Sequence, residues 1–153
     1  SDVNISLKEA QDFIDKFYNT YFNVKRWIDK TKSFALKHGY VQTLHGRRRY
    51  LPYVHSSDQK VREGALRQAV NTPIQGTASD CACFGLIRIQ KFIDEKQLKT
   101  KPIMIIHDEI VLETPFEEVD LMVEKLPYFM TQNLPKVTIP LVADAEVLTR
   151  WKK

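Results

Sequence analysis

The first clear pattern along the chain is helical. Ser6-Leu7-Lys8-Glu9 has the form of a capping box, in which Ser6 caps a helix and Glu9 reaches back to the Ser6 amide. Apolar residues then recur at Ala10, Phe13, Ile14, Phe17, Tyr18 and Tyr21, the spacing of one helix face. Val24, Trp27, Ile28, Thr31 and Ala35 predict a second helix. His38-Gly39 should end it, because glycine enters the left-handed C-cap conformation without a Cβ clash. Tyr40 to Tyr53 reads as a hairpin turning at His45-Gly46. Asp58 is placed to cap a third helix running to about Val70.

Asn71-Thr72-Pro73 predicts a break in that helix, since Pro73 has no amide hydrogen and restricts Thr72. A long helix should resume near Gln75, with Ala78, Cys81, Ala82, Gly85, Leu86, Ile89 and Ile93 on its apolar side. Two short apolar runs follow, Ile103 to Ile106 and Ile110 to Leu112. Only His107, Asp108 and Glu109 separate them, which predicts strand, tight turn, strand. Pro115 should open another helix through Val119, Met122, Val123 and Leu126, and Pro127 should kink or end it. Val137 to Val147 reads as a last strand, with Trp151 near the end. The fold class is α+β, with long helices segregated from a small antiparallel sheet.

A length of 153 residues fits one domain or a large piece of one, and 43% hydrophobic residues suit a packed core better than disorder. A formal charge of +4 permits a polyanionic partner without requiring one. Cys81 and Cys83, two apart on a helix, point in different directions and read as small buried side chains in a reducing compartment. No apolar run reaches membrane-spanning length and no signal peptide is visible, so no membrane partner is expected. The chain opens on Ser1, almost directly in helical sequence, which reads as a fragment or a processed product.

Three constellations could carry chemistry. His107-Asp108-Glu109 sits at a strand tip, where a carboxylate is held rigidly enough to ligate Mg²⁺; an ordinary solvated turn has the same composition. Arg67, Asn71 and Gln75 are spaced four apart, so on a continuous helix they share a face. Their donors suit the acceptors that every base pair presents in the minor groove, although a solvated face looks similar. Arg47, Arg48 and Arg49 follow the hairpin turn, with Tyr50 and Tyr53 interleaved. They suit DNA phosphates, or acidic neighbours within a larger protein.

Three stretches in order carry a family likeness. Thr43-Leu44-His45-Gly46-Arg47-Arg48-Arg49-Tyr50-Leu51-Pro52, then Arg67 through Asn71-Thr72-Pro73-Ile74-Gln75-Gly76-Thr77-Ala78-Ser79-Asp80, then Ile106-His107-Asp108-Glu109-Ile110-Val111-Leu112-Glu113 resemble motifs of the family A DNA polymerases. The last resembles motif C. His45 departs from the pattern, standing where an aromatic or acidic residue is often found. The resemblance runs from about Leu7 to Trp151. It implies the end of the fingers at residues 1–38 and the C-terminal part of the palm at 39–153. It implies Asp108 as a ligand of catalytic Mg²⁺, Glu109 as a supporting acid and metal neighbour, and His107 near the primer terminus. It also implies Arg67, Asn71 and Gln75 along the minor groove.

The family's two-metal nucleotidyl transfer needs a second carboxylate from motif A and cations from motif B. Neither motif is found in this sequence. The expectation is therefore a fragment or split subunit of a DNA-directed DNA polymerase, inactive alone. Its partners would be primer-template DNA, a deoxynucleoside triphosphate (dNTP) and the polymerase part carrying motifs A and B, in the cytoplasm of a bacterial or phage-infected cell. The rival expectation is a non-catalytic DNA-binding module of polymerase ancestry, and a third is a basic protein-binding scaffold.

Overall fold

The computed structural model describes residues 6–150. Trp151 therefore lies outside the described residues. In chain order come α1 (Leu7–Thr20), α2 (Phe22–His38), β1 (Tyr40–Gln42), β2 (Arg48–Tyr50), α3 (Gln59–Lys96), β3 (Lys101–Ile106), β4 (Glu109–Glu113), a short 3-10 turn (Phe116–Glu118) and α4 (Val119–Thr131). The mixed α+β class is as expected, with two two-stranded sheets, β1–β2 and β3–β4.

Local signals set most boundaries. Ser6 and Glu9 form the complete capping box, and Gly39 closes α2 at φ 73°. The Asp58 carboxylate accepts from the amides of Lys60 and Val61 at 2.8 and 3.2 Å, capping α3. The turn between β1 and β2 contains His45 and Gly46, with Gly46 at φ 91°.

The described residues fall into two compact units. The first takes the chain up to Val41 together with Arg48–Thr72; the second takes Gln42–Arg47 and the chain from Pro73 onward. The core of the first is Ala35, Val41, Leu51, Val54, Ala65 and Ala69. The core of the second is Ile89, Ile93, Ile110 and Met122, with Leu86, Phe92, Leu98, Leu112, Leu126, Phe129 and Met130 packed around it. Here α3 supplies Ile89 and Ile93, β4 supplies Ile110 and α4 supplies Met122, so β4 of the hairpin packs against both helices. Gly85 permits the close approach of α4: a Cβ there would stand 3.2 Å from Met130 Cα.

Several expectations are corrected. There is no break at Asn71-Thr72-Pro73, because α3 runs unbroken from Gln59 to Lys96 with Pro73 inside it. A proline in a helix interior costs about 3 kcal/mol. Burial on both sides offsets it, through Ala65 and Ala69 before the proline and Cys81, Ala82, Ile89 and Ile93 after it. Of the two outcomes expected at Pro127, a kink or an end, the end does not occur: α4 continues to Thr131, whose hydroxyl donates to the Pro127 carbonyl at 2.8 Å. Pro115 opens a 3-10 turn rather than the α-helix itself.

The final strand is corrected as well. Residues 137–147 form no strand among the described residues. The segment is rich in β-branched residues, but a strand exists by pairing, and Pro140 removes one of its donors. A smaller difference concerns the cysteines: Cys81 is buried, but Cys83 is exposed.

Candidate active site and nucleic-acid interface

The β3–β4 hairpin builds the tip that carries His107, Asp108 and Glu109. Its register pairs Ile105 with Ile110 and Ile106 with Glu109, leaving His107 and Asp108 as a two-residue loop. Such loops match the twist of their strands when a central residue has positive φ. His107 takes that role at φ 56°, without being glycine. A non-glycine residue held there carries backbone strain and persists where its surroundings fix it. Those surroundings are the ladder on both sides and Ile110, which is 8% exposed and lies one residue beyond Glu109.

The base of the hairpin is fixed by Glu118. Its carboxylate accepts from the amides of Lys99 and Thr100 at 2.8 Å each and from the Thr100 hydroxyl at 2.6 Å. The Thr100 hydroxyl and the Lys99 amide hold the Glu118 carboxyl below the usual range. No motif in the sequence marks this anchor, because the partners lie eighteen or more positions apart.

At the tip, His107, Asp108 and Glu109 are all exposed. Neither Asp108 nor Glu109 enters an ion pair among the described residues. Two uncommitted carboxylates on a fixed turn are hard oxygen donors, the type Mg²⁺ prefers, and in number they match what Mg²⁺ commonly takes from protein. Among the described residues they belong to no cluster of three or more potential ligands. The donors thus fit a share of a magnesium site.

The other candidate residues fall in both units. Arg67 and Asn71 lie four apart on α3 in the first unit and are exposed; Gln75, also exposed, lies on α3 in the second. In the first unit Arg48 stacks over the Tyr40 ring, with its guanidinium carbon 4.7 Å from the ring centroid. Arg49, the third arginine of the turn, donates to the Gln68 side-chain oxygen at 3.2 Å and the Thr72 hydroxyl at 3.4 Å.

In the second unit Arg47 is held by protein groups. Its Nε lies 2.7 Å from Asp80 Oδ1 and its Nη2 donates to the Gly76 carbonyl at 3.0 Å, while 58% of the side chain remains exposed. Burial pushes the Asp80 carboxyl up, but Thr43, Arg47 and His45 beside it together bring it below its ordinary value. Asp80 is the structural partner that the motif reading passed over. Asp80 closes the second family-like stretch, but its partner Arg47 lies 33 positions away, so the sequence carries no local signal of the pairing.

Comparison with known proteins completes the picture. The family model that matches is DNA polymerase family A, over residues 1–153. DNA polymerase I of Caldicellulosiruptor bescii is 37% identical over 150 residues, which is 98% of this chain and 18% of that protein. DNA polymerase I of Bacillus caldotenax is also 37% identical, over 98% of this chain and 17% of its own length. A solved structure, the POL domain of Pol1 from M. smegmatis in complex with DNA primer-template and dNTP, matches with a TM-score of 0.78 and 32% identity, over 86% of this chain and 23% of that one. The chain belongs to DNA polymerase family A. It spans less than a fifth of the length of the curated relatives it matches.

Proposed function

We propose that this chain supplies the motif C part of a DNA-directed DNA polymerase active site, and that it transfers nucleotides only together with a polypeptide part carrying motifs A and B. The observation that carries the reading is the β3–β4 tip: Asp108 is exposed, enters no ion pair among the described residues, and follows His107, whose backbone is left-handed. A carboxylate so fixed does not need to reorganise before binding a cation, which is the condition for electrostatic stabilisation of a transition state.

In this reading Asp108 ligates Mg²⁺, Glu109 supports it from the next position, and His107 lies beside the primer terminus. Mg²⁺ bound there would supply Lewis-acid stabilisation of the charge on the triphosphate and the primer hydroxyl. Residues 1–38 then end the fingers and residues 39–153 form the C-terminal palm. Arg67, Asn71 and Gln75 test the minor groove of the primer-template, where acceptors occupy similar places in every base pair. Arg47 and Arg48 approach the phosphates. The partners are primer-template DNA, a dNTP and the rest of the polymerase, in the cytoplasm.

Primer extension tests this. The chain alone should extend nothing; mixed with a polypeptide carrying motifs A and B it should restore templated synthesis. In the complete polymerase, Asp108→Ala should lower incorporation by about a thousandfold or more, the scale of several kcal/mol of metal-borne charge stabilisation. DNA binding should persist. Templated extension by the chain alone would overturn the reading of an incomplete site, and undiminished synthesis by Asp108→Ala would favour the non-catalytic DNA-binding module.

A further inference from the structure

Beneath the β1–β2 turn an imidazole and a carboxylate face each other, and the rest of the fold leaves both atoms unsatisfied. The side chains of His45 and Asp80 are 9% and 12% exposed. His45 Nε2 lies 2.7 Å from the Pro135 carbonyl oxygen. A carbonyl only accepts, so Nε2 must carry a proton. His45 Nδ1 lies 3.6 Å from Asp80 Oδ2, and both atoms are buried with no hydrogen-bond partner among the described residues, although the Thr43 hydroxyl also lies beside the Asp80 carboxylate.

An ionised carboxylate also only accepts. Arg47, bonded to Asp80 Oδ1, favours the ionised form. A neutral imidazole has one N–H, so with Nε2 protonated it would aim a lone pair at the carboxylate. An imidazolium has two N–H donors and a charge opposite to that of Asp80. In a site this dry the difference is large, because buried polar groups without partners are costly. The charged group against the ring is Asp80 on α3; around it stand Arg47, which pairs with Asp80, and Lys136, which reaches the Leu44 carbonyl next to His45. Phe84 of α3 covers the ring edge-on at 4.8 Å between centroids.

The segment on the other side of the ring is strained. Asn133 and Lys136 both have left-handed backbones, at φ 52° and 62°, and neither is glycine. Such residues persist where neighbours over-determine them. Arg88 of α3 donates to the carbonyls of Gln132 and Asn133. Lys136 Nζ reaches the Leu44 carbonyl at 3.4 Å. His45 on Pro135 falls between these two fastenings. The turn itself is docked on α3 by the Leu44 amide, which donates to the Thr77 hydroxyl at 2.9 Å.

We propose that His45 works as a cation, a clip that donates from Nε2 to Pro135 on one side and sets a protonated, positively charged Nδ1 edge against the Asp80 carboxylate on the other, locking the strained Gln132–Lys136 segment and the Thr43–Arg47 turn onto α3. The clip is independent of the catalytic reading, since it uses neither the 107–109 tip nor a nucleic acid.

The test is the protonation of the ring in the folded full chain, labelled with ¹⁵N on histidine alone and read near neutral pH. Long-range ¹H–¹⁵N correlation should place both His45 nitrogens in the protonated range; a bare Nδ1 would overturn the proposal. His45→Gln assigns the signals by their disappearance. In that variant the amides of residues 132–134, 136 and 137 should exchange with solvent roughly tenfold faster or more, the scale of one lost charge-assisted hydrogen bond; unchanged exchange would also overturn it. Should His45→Gln fail to fold, replacing the exposed His38, His55 and His107 by Gln leaves His45 as the single signal, and its nitrogens decide.

Discussion

Ile89→Ala tests the claim that the β3–β4 tip is held from below. Ile89 is fully buried and packs with Ile93, Ile110 and Met122. The substitution removes three carbons. At about 0.8 kcal/mol for each buried carbon group, the transfer loss is ~2.4 kcal/mol. The cavity left between two helices and a sheet cannot fully collapse, since α3 and α4 already stand as close as Gly85 allows. The cavity adds a further contribution, so the total should be ~4 kcal/mol, inside the range known for such truncations. Urea unfolding of the second unit, followed by hydrogen exchange at Ile110 and Leu112, measures it. The midpoint should fall with little change in slope, and those amides should lose roughly a thousandfold of their protection. Ile89→Val, with one carbon removed, should cost only about 1 kcal/mol. A loss below ~1 kcal/mol for the Ala variant would mean that the hairpin is not clamped through Ile89.

Other consequences follow from single contacts. Gly85→Ala gains up to ~1 kcal/mol of helix propensity, but its Cβ meets Met130 Cα and Cγ at 3.2 Å. Overpacking against helix backbone costs about 1–3 kcal/mol, so thermal unfolding should show net destabilisation; a higher melting temperature would refute the close approach. Glu118, whose folded carboxyl titrates below its unfolded value, contributes stability above the unfolded range and loses it as pH falls through the lowered value. The stability gap between wild type and Glu118→Gln should therefore be widest near neutrality and close in acid; a gap independent of pH would count against the anchor. Ellman's reagent should modify exposed Cys83 quickly and Cys81 slowly, because burial, and secondarily the Asp80 charge, push the Cys81 thiol up. Equal rates for the two thiols would contradict that placement.

The sequence by itself determined the elements whose signals are local. A capping box, a glycine after a helix, an aspartate before one, and two apolar runs around a three-residue polar gap each act within a few residues, so chemistry along the chain suffices to read them. Motif spacing placed Asp108 at a strand tip for the same reason. Tertiary structure decided what depends on partners distant in sequence. Pro73 and Pro127 break isolated helices, but here the burial of neighbouring side chains on α3 and α4 outweighs one missing hydrogen bond. Residues 137–147 have the composition of a strand and remain irregular, because a ladder needs a second strand and composition cannot supply one. The Glu118 anchor, the Arg47–Asp80 pair and the inward ring of His45 join residues 18 to 90 positions apart. Only folding brings such groups within hydrogen-bond range, and there the loss of water makes their partners decisive.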